Sequence, residues 1–297
     1  MRRFVTQPAF AKVNLCLQVH CKRLDGYHEL RTIFQAISLH DTLELSFASP
    51  PGIALEINDS TLPTDSRNLV WRAADAMRKE FRLSRGIRAR LTKRIPVARG
   101  MGGGSSDAAA ALIAMQRLTG RKLPLEKLSQ IGSSLGADVP FFLFGGRAMG
   151  VSRGDEIYPL PDGPSRSVLV VSAHDIAVST KDAYAWIDRR LTNSSSPHKI
   201  WSFCALCWSR QEGGLPNDFE AAVFSRHPRL RQIKRDLLRG GAAEAALAGS
   251  GSAVFGVFRN PAQARRAARL FPKDQVFVTT TLSREEYRKA VGWSGTR

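Results

Sequence analysis

Lys93-Arg94-Ile95-Pro96-Val97-Ala98-Arg99-Gly100-Met101-Gly102-Gly103-Gly104-Ser105-Ser106-Asp107-Ala108-Ala109-Ala110 is the stretch around which the chain is organised. Upstream of it, Ile87, Ala89 and Leu91 alternate with Arg88, Arg90 and Thr92, the period-2 pattern of a half-buried strand. Downstream, strong helix formers run from Asp107 to Leu118 and stop before Gly120, a suitable residue just past a helix end. Ser105 or Ser106 stands where an N-cap belongs, with Asp107 in the first turn. The pattern predicts strand, glycine-rich loop, helix.

Glycines at 100, 102, 103 and 104 allow left-handed backbone and close approach to a ligand. A helix N-terminus adds unpaired N–H groups and the positive end of a dipole, so the loop reads as a phosphate cradle. The plainer alternative is a flexible glycine hinge capped by serine. The common phosphate motifs do not fit: no Lys follows the glycines as in G-x-x-x-x-G-K-[ST], and Ser105 occupies the last glycine position of G-x-G-x-x-G. The H-R-D and D-F-G signatures of protein kinases are missing too.

The 297 residues suffice for one large domain or two ordinary ones, and 43% hydrophobic with 24% charged residues describes a globular protein. No apolar run reaches the ~18–20 residues of a membrane span, and the N-terminus lacks a signal-peptide core, so a cytoplasmic enzyme is expected. The formal charge of +18 is spread over both halves of the chain. One concentration stands out: residues 78–94 carry eight Lys or Arg against the single Glu80 and lead straight into the glycine loop. Such a field attracts polyphosphates. It also suits nucleic acid, but no aromatic stacking pattern of an RNA-binding module accompanies it, so no nucleic-acid partner is expected. Cys204-Ala205-Leu206-Cys207 has zinc-knuckle spacing among apolar neighbours, and Cys16 and Cys21 lie in or beside a strand; buried free thiols are the expected state of all four.

In chain order, strictly alternating Val13, Leu15, Leu17 and Val19 predict a strand with Lys12 and Asn14 on its other face. Asp25-Gly26 marks a hairpin turn to a second strand ending about Ile37; a third is expected at Thr42–Phe47, a fourth at Ile53–Ile57 and a helix from Asn68 to Phe81. Pro124 should be the first residue of a helix to Leu135. After the apolar run Phe141–Phe144 and a strand at Ala148–Val151, the turn-rich Pro159–Pro164 makes the best boundary, dividing the chain into domains 1–162 and 163–297. Beyond it strands at Val168–Val171, Ala253–Phe258 and Gln275–Thr281 alternate with helices at Thr180–Arg190, His227–Leu238 and from Asn260-Pro261 to Leu270, with a polar linker at Thr192–Pro197.

The loop resembles the P-x-x-x-G-x-G-G/S-S-S-x-A-A element of the GHMP kinases, a family of small-molecule kinases. Pro8-Ala9-Phe10-Ala11-Lys12-Val13-Asn14-Leu15 and Leu247-Ala248-Gly249-Ser250-Gly251-Ser252-Ala253-Val254-Phe255 resemble the other two motifs of that family, in the proper order. Asp25-Gly26-Tyr27-His28 and Gly136-Ala137-Asp138-Val139-Pro140 resemble one branch in particular, whose acceptor is a cytidine-diphosphate-linked polyol. The resemblance implies an α+β fold with two domains, the N-terminal one like ribosomal protein S5 domain 2 and the C-terminal one ferredoxin-like. It implies ATP-dependent phosphorylation of the 2-hydroxyl of that substrate, with Mg²⁺ accompanying ATP, in non-mevalonate isoprenoid synthesis. Lys12 and Asp138 fall on the catalytic pair. Pro96, Val97, Ala98, Arg99, Gly100, Met101, Gly102, Gly103, Gly104, Ser105 and Ser106 fall on the ATP loop. Asn14, Tyr27, His28, Thr180, Tyr184, Gly249 and Ser250 fall on substrate-binding positions, with Tyr27 and Tyr184 expected to sandwich the base. No acidic residue stands out as a dedicated metal ligand; Ser106 is the best candidate. Arg99 replaces a small residue and either crowds the loop or adds a phosphate contact, while Met101 for Leu keeps the volume. Without the resemblance Lys12 would read as a surface strand lysine and Asp138 as a helix-terminal aspartate. Homoserine, mevalonate-type or sugar kinases of the same family, and an RNA-binding module on the S5-like fold, are the alternatives.

Overall fold

The computed structural model describes residues 4–188 and 215–293. Two long strands, β1 (Phe4–Lys22) and β2 (His28–Ala48), pair antiparallel and form the spine of the molecule. The hairpin between them closes at Gly26, with Arg23 N donating to Tyr27 O at 2.7 Å, as the Asp-Gly signal predicts. Beyond this turn the separate second and third strands of the sequence reading are a single 21-residue strand. The polar break that suggested an end, Ser38 to Asp41, is instead a shift of register opposite Phe10 and Ala11. Its polar groups are satisfied from outside the hairpin: Ser38 Oγ shares a 2.8 Å hydrogen bond with Thr279 Oγ1, and Asp41 Oδ1 accepts from the amide of Ile95 at 2.8 Å.

β3 (Ile53–Ile57) runs parallel to β4 (Gly86–Thr92), with α1 (Leu69–Glu80) as the crossover between them. The remaining elements of this half are α2 (Gly103–Thr119), α3 (Leu125–Leu135), the one-turn α4 (Phe141–Phe144), β5 (Arg147–Val151) and β6 (Glu156–Pro159). The sheet order is β3-β4-β2-β5-β6, with β1 on the other edge of β2. α2 is apolar all round and almost wholly buried against β1, β2 and α1, which is what a core helix requires. Its run of alanines lets sheet and helices approach it closely. Pro124 caps α3 and is not its first helical residue.

The second half builds a four-stranded antiparallel sheet from β7 (Ser167–Ser172), β8 (Glu244–Leu247), β9 (Val254–Phe258) and β10 (Gln275–Thr280), in the order β10-β7-β9-β8. With α5 (Thr180–Asp188), α6 (Phe219–Arg226) and α7 (Pro228–Arg239) between the first two strands and α8 (Pro261–Ala268) before the last, this is the ferredoxin-like topology. The mid-portions of β1 and β2 (Ala11, Val13, Ile37, Leu39) share a buried cluster with Val168, Val170, Phe255 and Val257, so the two sheets meet through a common apolar seam. A last helix, α9 (Arg284–Val291), returns to the first sheet, where Tyr287 and Val291 join its core. Cys16 is buried and Cys21 exposed on β1, the latter against expectation; Cys204, Cys207, Arg190 and the linker 192–197 lie outside the described residues.

Candidate active site

A cleft of about 450 Å³ opens where the seam between the sheets meets the glycine loop. β1 supplies its floor. The strict alternation expected for residues 13–19 fails here, because the β1–β2 register shifts between Asn14 and Cys16 and the two faces exchange. Lys12 and Asn14 before the shift, and Leu17 after it, therefore line the same cleft. Lys12 and Asn14 are 4% and 2% exposed, so neither is a surface strand residue. Lys12 Nζ donates to Asn14 Oδ1 at 2.8 Å and lies 3.5 Å from Asp138 Oδ2. Asn14 Nδ2 donates to Thr32 Oγ1 at 2.7 Å, and Thr32 Oγ1 donates to the Cys16 carbonyl at 2.7 Å, a chain that fixes the amide orientation. Phe34 lies under the ammonium, with the ring centroid 5.3 Å away. Asp138 sits in the turn between α3 and α4 and is about one-third exposed, open to a ligand. The paired ammonium and carboxylate face the same space.

The glycine loop forms the cleft wall, and all of Pro96 to Ser105 line it. α2 begins at Gly103, with Gly102 as a left-handed N-cap (φ 70°), so Ser105 and Ser106 lie inside the first turn and neither caps the helix. A Cβ on Gly102 would stand 2.9 Å from the Phe142 ring and 3.3 Å from Lys12 Cε, leaving no room for a side chain between the loop and Lys12. The first-turn amides of α2 have no acceptor within the helix and face an incoming anion. Ser106 is buried and is not among the residues lining the cleft; its Oγ has no hydrogen-bond partner. Leu62, Pro63, Leu69, Pro96 and Val97 make one end of the cleft apolar. Arg99 does not crowd the loop: its Nη1 turns to the second half and donates to Ser252 Oγ at 2.6 Å.

At the other end Thr180, Tyr184, Phe219, Gly249 and Ser250 line the cleft, with Thr180 Oγ1 and Ser250 Oγ 3.3 Å apart. Burial, then the charge of Asp138, pushes the Tyr184 hydroxyl well above its ordinary pKa. The ring that stacks on Tyr184 is His28, at 4.8 Å and 18°, and not Tyr27. His28 Nε2 is held 2.6 Å from Asp188 Oδ1. Tyr27 does not reach the cleft lining; its ring is half exposed, with the Arg153 guanidinium 5.0 Å above it. The two-tyrosine sandwich is thus not formed in this conformation.

Among the lining residues that sequence reasoning did not single out, Thr32, Phe34, Lys93 and Asp107 stand next to the central groups. Thr32 and Phe34 follow from register, since they face Leu17 and Asn14 across the hairpin. Lys93 and Asp107, the residues at either end of the glycine stretch, are joined by a buried 2.7 Å ion pair, and Lys93 Nζ also lies 2.5 Å from Asp41 Oδ2. Burial works against the Lys93 charge, but Asp107 and Asp41 outweigh it and raise its pKa. Burial likewise raises the Asp107 pKa, to about 8, with Lys93 opposing and Asp41 assisting. Only the spacing of a lysine and an acid around the loop hinted at this staple; Asp41, a distant residue in sequence, gave no signal.

Residues 68–146 match the family model described as GHMP kinases N terminal domain, and residues 204–274 match GHMP kinases C terminal. The chain is 50% identical over 285 residues to the 4-diphosphocytidyl-2-C-methyl-D-erythritol kinase of Solibacter usitatus, covering 94% of this chain and 89% of that protein. It is 36% identical over 284 residues to the enzyme of the same name from Thermodesulfovibrio yellowstonii, covering 94% and 98%. A crystal structure of 4-(cytidine 5'-diphospho)-2C-methyl-D-erythritol kinase superposes with a TM-score of 0.75 at 33% identity, covering 93% of this chain and 99% of that one. Homoserine kinase from Cytophaga hutchinsonii shares the fold, with a TM-score of 0.75 at 20% identity over 95% of this chain and 96% of that one.

Proposed function

The chain belongs to the GHMP kinase family, and we propose that it transfers the γ-phosphoryl group of ATP to the 2-hydroxyl of 4-diphosphocytidyl-2-C-methyl-D-erythritol, as a cytoplasmic enzyme of non-mevalonate isoprenoid synthesis. The observation that carries the proposal is the convergence of Lys12, Asp138 and the N-terminus of α2 on one cleft between the two sheets. Phosphoryl transfer needs positioning and charge neutralisation more than covalent chemistry. ATP places its base at the apolar end formed by Leu62, Pro63, Leu69, Pro96 and Val97, and its phosphates along the loop amides from Gly100 to Ser105. Asp138 accepts a hydrogen bond from the attacking hydroxyl and aligns its oxygen; as a weak base it takes the proton late. Lys12 Nζ, held by Asn14, neutralises charge on the transferring phosphoryl oxygens. Thr180, Tyr184 and the Gly249–Ser250 turn hold the cytidine end, with His28 moving off Tyr184 to admit the base. The basic surface leading into the loop attracts polyphosphate ligands and is assigned no nucleic-acid partner.

Mg²⁺ would arrive with ATP and neutralise phosphate charge. Among the described residues no group of three or more His, Cys, Asp or Glu could hold a metal, which is compatible with an ion carried by the phosphates and water. Of the two buried oxygens without hydrogen-bond partners at the start of α2, Asp107 Oδ1 belongs to a residue that lines the cleft and fits such a hard cation, whereas Ser106 does not line it. The test is release of ADP from ATP with a panel of acceptors: the cytidine compound should support turnover, whereas homoserine, mevalonate and simple sugars should not. Turnover of one of those instead would reassign the substrate within the family.

A further inference from the structure

The walls of the cleft include two glycine turns from different halves of the chain, and the turns touch. A Cβ on Gly100 would stand 1.8 Å from the Ala248 carbonyl oxygen, and one on Gly249 2.8 Å from the Gly100 oxygen. The amide of Ala253 donates to the Arg99 carbonyl at 3.3 Å. Arg99 also spans the seam with its side chain, since Nη1 reaches Ser252 Oγ at 2.6 Å. Ser252 is fully buried, and its hydroxyl donates in turn to the Ile176 carbonyl at 2.6 Å, in the segment that leads from β7 to Thr180. Thr180 closes the circuit through Ser250. Loop, glycine turn and the approach to α5 are therefore one hydrogen-bonded unit, and the Arg99 side chain is a link that a small residue at this position could not make.

We infer that Arg99 is a strut that couples the two ligands of the cleft, so that ATP and the cytidine substrate each bind more tightly when the other is present. The inference rests on the proposed placement of ATP along residues 96–105 and of the substrate at residues 249–250. Each ligand restrains the turn it touches. A turn already restrained through Arg99 and Ser252 has less conformational freedom to lose when its own ligand arrives, which is positive coupling without a large movement. By linkage the factor is the same in both directions. Arg99 is thus a positioning residue, distinct from a simple phosphate contact.

Calorimetry on the full chain, with a non-hydrolysable ATP analogue and the cytidine substrate, each titrated alone and in the presence of the other, reads the coupling directly. A wild-type factor of about fivefold or more is expected. Arg99→Ala and Ser252→Ala should both bring it close to one, and Arg99→Lys, which keeps a donor for the hydroxyl, should retain more of it than Arg99→Ala. Should loss of the buried Ser252 hydroxyl unfold the chain, the half-buried Arg99 still carries the test. Wild-type coupling retained in folded Arg99→Ala would overturn the inference, as would a lower affinity for the ATP analogue with coupling intact, which would make Arg99 a phosphate contact only. Independent binding of the two ligands to the wild type also ends it. Failure of either ligand to bind the wild type at all would instead defeat the placement of the ligands, and the strut with it.

Discussion

Lys12 and Asp138 stand 126 residues apart in the sequence, yet their charges meet at 3.5 Å in one cleft. In the roles proposed for them both groups act mainly on the transition state, so Lys12→Ala and Asp138→Asn should lower kcat on the order of 10²-fold or more while moving KM little. Steady-state kinetics check this, and near-normal kcat in either variant would make that residue structural. Tyr184 answers a different question. With Tyr27 standing off the cleft, Tyr184 offers the base a face to stack on once His28 has moved off it. Stacking is worth about 1–3 kcal/mol, so Tyr184→Ala should raise KM for the cytidine compound by roughly 5- to 150-fold and leave that for ATP unchanged. An equal loss for both substrates would place the base elsewhere. At this scale the meeting of Lys12 with Asp138 beside the loop was legible because motif spacing carries it. The stacking partner was not, since which of the adjacent Tyr27 and His28 reaches Tyr184 depends on how the 23–27 turn closes.

The strand–loop–helix unit around residues 87–119 behaves as one element because both its ends are tied. Lys93 and Asp107 pair across the loop, and Gly102 has to adopt a left-handed conformation against Phe142. Gly102→Val should abolish binding of an ATP analogue in calorimetry while circular dichroism stays native-like; unchanged affinity in the folded variant would take the loop out of the site. The staple also sets a pH dependence. Asp107 titrates near 8 in the folded chain against 3.8 ordinarily, so between those values the native state holds a proton that the unfolded chain has released. Stability should therefore be fully present below about pH 4 as far as this group is concerned and fall as pH rises through 8. Asp107→Asn should flatten that slope in thermal denaturation curves; an unaltered slope would put the proton on another group. The element's type and order were readable from periodicity, whereas its start was misjudged by about four residues, because a left-handed glycine took the capping role that serine usually fills. The fusion of two expected strands into β2 has a similar origin: Ser38 and Asp41 look like a break until their partners, Thr279, the Lys93 side chain and the amides of Arg94 and Ile95, are brought in from elsewhere in the chain.

Over the whole molecule the chain does not keep its halves apart. α9, the last described helix, leaves the second sheet and completes the core of the first. Tyr287 is its anchor: the ring is buried against Phe10 at 5.3 Å, lies where a Cβ on Gly145 would be 2.1 Å away, and donates from Oη to the Phe142 carbonyl at 2.6 Å. Burial accordingly raises the pKa of its hydroxyl. No local pattern distinguished this helix from an appendage of the second domain, because its amphipathic face says that it packs but not upon what. Emptying a pocket of this kind costs about 3–5 kcal/mol, whereas losing the hydroxyl alone costs about 0.5–1.5 kcal/mol. Tyr287→Ala should thus destabilise the chain several times more than Tyr287→Phe in urea unfolding. The same substitution tests how stability reaches the chemistry. Phe142 lies in α4, four residues after Asp138, and its ring also meets the loop at Gly102, so a chain still folded without the Tyr287 ring should hold the carboxylate less firmly and lose more in kcat than in ATP affinity. Equal effects on kcat and on ATP affinity would mean that α9 supports the cleft as a whole and not the catalytic turn in particular.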